Sequence, residues 1–191
     1  MSEELLKALM QLFAMASDVD DITQESRVIV NDYLTQELNS ELVPTYLEIY
    51  DKNIKEIHHG VEKDALADQN VIEVCSKINA VLQQKQKIVI LIRLLEYILA
   101  DENISDHEFQ FLRTTADTFK IPTDEFDDCL KFLEAEPNTI PDLLDILIVS
   151  SEDSIECEKS QFIKRDGIEG KIIFLKFPSV EMYVMRYLGE D

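Results

Sequence analysis

The chain has 191 residues, enough for one ordinary domain or one domain plus a fragment. Hydrophobic residues at 46% and charged residues at 30% exclude a disordered chain. Lys+Arg number 18 against 39 Asp+Glu, a net charge of −21 that repels phosphate backbones and anionic lipid and attracts divalent cations or a basic protein partner.

Glycine (4) and proline (5) are scarce, which favours helices. In chain order, Leu5, Leu9, Leu12, Phe13 and Ala16 form a first stripe at helical spacing. A second helix is predicted from Thr23, with Ile29, Val30, Tyr33 and Leu34 facing inward. A third begins near Pro44, a good first-turn residue, carries Tyr46, Leu47, Tyr50, Ile54 and Ile57 inward, and ends at Gly60. A fourth lies between about Asp68 and Leu82, with Ile72, Cys75, Ile78 and Leu82 on one face. Ile88–Leu99 is apolar nearly all round and predicts a buried central helix. A sixth helix follows Ser105. A seventh follows Thr123, where Asp124 and Glu125 suit the positive end of a helix dipole.

Composition then shifts. EAEPNTIP (134–141) reads as a linker, and LLDILIV (143–149) as a short helix or a buried strand. From Gln161 the chain reads as β, with a turn at Asp166-Gly167 and strands in KIIFLKF (171–177) and VEMYVMRYL (180–188) joined through Pro178-Ser179. The expected domains are a helical one over 1–135, a linker over 136–160 and a β-rich segment over 161–191. So thin a sheet has little core of its own, which predicts that it packs on helices, finds a partner, or continues into a longer chain.

An internal echo runs through the helices. LMQLFAMASDVDDIT (9–23) lies over LIRLLEYILADENIS (91–105) at an offset of 82 residues, matching Leu9 to Leu91, Leu12 to Leu94, Ile22 to Ile104 and Thr23 to Ser105. Both copies read apolar helix, acidic loop, Ile, hydroxyl cap, next helix. Two helical hairpins related by approximate symmetry are expected.

The acidic loops admit two readings. Ser105 followed three residues later by Glu108 is a capping box, and Thr23 can cap the second helix without the reciprocal Glu. The remaining acids, Asp18, Asp20 and Asp21 in one loop and Asp101 and Glu102 in the other, could serve a hard cation if the loops lie side by side. Neither loop follows the EF-hand spacing. The bland alternative is solvated acids complementing helix dipoles.

Catalytic patterns are weak. The histidines, His58, His59 and His107, form no repeated Glu-x-x-His pair of the di-iron kind. No phosphate loop, GxGxxG or G-x-S-x-G elbow occurs. Cys75, Cys129 and Cys157 are far apart and read as reduced thiols. The longest apolar stretch is interrupted by Arg93 and Glu96 and is too short to span a bilayer, and MSEELLKALM is no secretory signal. A cytoplasmic protein is expected.

The stretch Ala100-Asp101-Glu102-Asn103-Ile104-Ser105-x-x-Glu108 resembles the core motif of the tellurite-resistance TerB-like family, Ala-Asp-Gly-x-Ile-Ser-x-x-Glu. Glu102 replaces the glycine. In the first loop Asp20, Ile22 and Thr23 fit, and the Glu is displaced to Glu25. The resemblance covers roughly residues 1–135. It implies a mainly α, pseudo-symmetric bundle of about seven helices that acts as a non-catalytic, acidic sensor or interaction module. Further implications are a protein partner on the acidic face, links to stress response and membrane-transporter components, and a divalent cation, Ca²⁺ or Mg²⁺, on Asp20, Glu25, Asp101 and Glu108. The β tail is similar to an incomplete forkhead-associated-like segment, an arrangement that resembles the amino-terminal region of some bacterial ABC-transporter ATPases. That likeness places the chain in the cytoplasm, at the inner face of the membrane through a partner or a downstream region. The competing functions are a metal-dependent enzyme using the loop carboxylates and an acidic nucleic-acid mimic that binds a basic protein.

Overall fold

A computed structural model describes residues 2–17, 24–59, 68–100, 104–136, 138–143, 145–151 and 161–189, without the side chains of 24, 25, 58, 59 and 68. The chain divides into two compact units, Met1–Ile121 and Pro122–Asp191.

Among its described residues the first unit holds six helices: α1 (Glu3–Met15), α2 (Gln24–Glu37), α3 (Val43–His59), α4 (Asp68–Asn79), α5 (Gln84–Leu99) and α6 (Asp106–Thr118). Ser2 starts α1, its Oγ accepting the Leu5 amide at 3.3 Å. α1 packs on α3 and α4, α4 on α6, and α5 on α2 and α6. Leu9, Leu12, Leu91 and Leu94, which the sequence echo matches to one another, are all fully buried. α5 is the buried helix its composition predicts, with Ile88, Ile90, Leu91, Ile92, Leu94, Leu95, Tyr97 and Ile98 inside.

Aromatic rings lock this core. Phe13 tilts against Tyr33 at 5.6 Å and Tyr97 at 5.9 Å between centroids. The Tyr97 and Tyr50 hydroxyls share a buried hydrogen bond of 2.7 Å, which gives each polar tip a partner. Burial raises the Tyr50 and Tyr33 phenols above their ordinary value, so both stay neutral.

α4 corrects the sequence reading by one position. Its inward stripe is Val71, Val74, Cys75 and Ile78, while Ile72 is 45% exposed. Either stripe satisfies helical periodicity around Cys75 and Ile78, and packing against α1 and α6 selects between them. Cys75 lies against Thr115, and burial pushes its thiol up to about 12, so it is an inert core residue. Cys129 is also buried, while Cys157 lies outside the described residues.

The second unit contains α7 (Thr123–Glu134) and four strands, β1 (Ile146–Ser150), β2 (Gln161–Lys164), β3 (Lys171–Phe177) and β4 (Met182–Leu188). LLDILIV therefore supplies a strand. The sheet order is β2-β1-β3-β4, with β1 parallel to β2 and the other pairs antiparallel. Gly167, at φ +82°, makes the predicted turn after β2, where a side chain would strain the left-handed backbone. Ile146, Ile148, Ile173, Leu175 and Phe177 form the buried face of the sheet. α7 packs on β3 and contributes Phe126, Cys129 and Phe132 to the same core.

Two polar clamps tie α7 to the sheet. Glu125 is buried, and its Oε1 and Oε2 accept the Ser179 amide and hydroxyl, each at 2.6 Å. At the other end of α7, Arg186 of β4 donates to the carbonyls of Phe132 (3.0 Å), Ala135 (2.6 Å) and Glu136 (2.7 Å). It thereby satisfies carbonyls that a helix end leaves without partners.

Asp128 reports on the acidity of this unit. Burial, with Asp124, Asp145 and Asp127 nearby, raises its carboxyl above the ordinary value, and Lys131 opposes them. The folded state therefore binds this proton more tightly than the unfolded state does. Its contribution to stability is full below the unfolded value and is lost as pH rises through the raised one. The Asp128→Asn variant should melt higher than the native chain at neutral pH. That advantage should vanish as pH falls through the Asp range, as followed by thermal unfolding across pH.

The acidic helix-end loops as candidate functional site

The best-defined part of the candidate site is the start of α6. Ser105 has extended backbone and cannot be part of the helix, so its side chain is free to turn back. Its Oγ accepts the Glu108 amide at 3.2 Å. Glu108 Oε2 in return accepts both the Ser105 amide and the Ser105 hydroxyl at 2.8 Å. Asp106 and Glu108 also complement the positive end of the α6 dipole. Glu108 is largely buried in doing so. The capping box read from the sequence is therefore present in full. Ser105→Ala should cost about 1 kcal/mol of stability, measured by denaturant unfolding.

The same geometry bears on the expected cation ligands. Glu108 spends one carboxylate oxygen on the cap. Asp20 and Asp101 lie outside the described residues, and so does the Glu25 side chain, although Glu25 falls in the first turn of α2. Among the described residues no group of three or more His, Cys, Asp or Glu side chains is placed to hold a metal ion.

A shallow, open cleft of about 410 Å³ lies against α2 and α3, lined by Arg27, Asn31, Thr35, Val43, Leu47 and Glu48. Arg27 is already engaged: Nε and Nη2 donate to Asp51 Oδ1 (3.2 Å) and Oδ2 (3.1 Å). This pair is half exposed, so it orients α2 on α3 and adds little stability. Among the described residues no helix is long and apolar enough to cross a membrane.

Sequence reasoning missed the residues with the most consequential polar contacts. Glu125 reads as a dipole acid and Arg186 only as part of a predicted strand, because their partners lie 54 and 50–54 positions away. No local pattern signals such contacts.

A mainly α bundle whose sixth helix opens on the Ser105–Glu108 cap defines the class of protein. The family model for tellurite resistance protein TerB matches residues 6–131, well over half of the chain, and the chain belongs to that family. The matched span ends within α7, before the sheet. Searches of curated proteins and of solved structures gave no match.

Proposed function

We propose that the chain is a non-catalytic TerB module that acts by binding, offering its acidic surface to a basic protein partner. The observation that carries this reading is a net charge of −21 on a TerB helical fold. Such a field steers cationic partners and raises their association rate. A stress-response complex or a membrane transporter regulated through this contact is the setting that the resemblance supplies. The test is to rebind purified partners, recovered at low salt, to the isolated chain. Their affinity should fall steeply as salt rises, and they should carry net positive charge. Salt-independent partners, or turnover by the chain itself, would overturn the proposal.

Cation binding on Asp20, Glu25, Asp101 and Glu108 is the second reading, favoured by the recurrence of a similar acidic stretch before two helices in the sequence. It requires Glu108 to share its carboxylate between the cap and the ion. Thermal unfolding in EDTA, then Ca²⁺, Mg²⁺, Mn²⁺ or Zn²⁺, separates the two. A cation at one hundred times its dissociation constant would stabilise by about 2.7 kcal/mol. For the cap alone, Glu108→Gln should lower the melting temperature equally in every buffer. A saturable shift for one cation, lost in Asp101→Asn, would instead make the loop a binding site.

A further inference from the structure

No further inference is drawn: the strongest candidate, the apolar outer face of the sheet where Tyr183, Met185 and Tyr187 stand exposed along the β4 edge strand, carries nothing because nothing in the structure shows what covers it, with Lys164, Arg165 and Lys171 at the same strand end as Asp166 and Glu169.

Discussion

Arg186→Met should unfold the second unit at markedly lower denaturant while leaving the helical unit protected. Methionine keeps the aliphatic stem and removes the guanidinium that donates to three carbonyls at the end of α7. Hydrogen bonds from a charged group contribute about 1.5–3 kcal/mol each, and three on one side chain are not additive, so a loss of about 3 kcal/mol is expected. Burial lowers the guanidinium pKa, yet an arginine remains charged at any physiological pH. The effect should therefore be flat across the neutral range. Arg186→Lys should recover only part of the loss, because a single compact ammonium cannot take the two separated donor positions of Nη1 and Nη2 at once. Hydrogen exchange read peptide by peptide is the measurement. Peptides from β3, β4 and the last turn of α7 should lose protection, and those from α1 and α5 should keep theirs. Equal loss in both units, or none in either, would show that Arg186 does not hold α7 to its sheet.

Phe13→Ala should be the most damaging single change in the helical unit. Phe13 is fully buried and contacts both Tyr33 and Tyr97, and Tyr97 in turn is hydrogen-bonded to Tyr50. Removing the ring leaves a cavity at the point where α1, α2 and α5 converge. Phe-to-Ala changes of this kind cost about 3–5 kcal/mol. The melting temperature should fall on the order of 10 °C in differential scanning calorimetry. Phe13→Leu keeps most of the volume and should cost less than half as much. The Tyr97→Phe variant separates packing from hydrogen bonding. It preserves the ring beside Phe13 and leaves the Tyr50 hydroxyl without that partner, with an expected cost of about 1–3 kcal/mol.

Both residues bear on function through the frame they hold. The bundle built around Phe13 fixes the helix ends from which the acidic loops depart. The clamp at Arg186 holds α7 on the inner face of the sheet.

The sequence by itself determined the features that depend on neighbours along the chain. Helical stripes such as Leu5, Leu9, Leu12 and Phe13 recur every three or four residues, and that spacing is sufficient to place α1. The Ser105–Glu108 cap spans one turn and was legible for the same reason. The likeness of α1 to α5 and the hairpin signal around Pro178-Ser179 are also local patterns. Tertiary structure decided what periodicity leaves degenerate. It rotated α4 so that Val71 and Val74 face inward and Ile72 outward. It set the sheet order, paired β1 in parallel with β2, and gave Glu125 and Arg186 partners more than fifty residues away in Ser179 and Phe132. Residues within one turn are close in any fold that forms the helix, so their chemistry can be read in advance. Residues fifty positions apart meet only when packing has chosen one arrangement from many of similar local energy, and that choice made Glu125 and Arg186 into clamps and left Tyr183, Met185 and Tyr187 facing solvent.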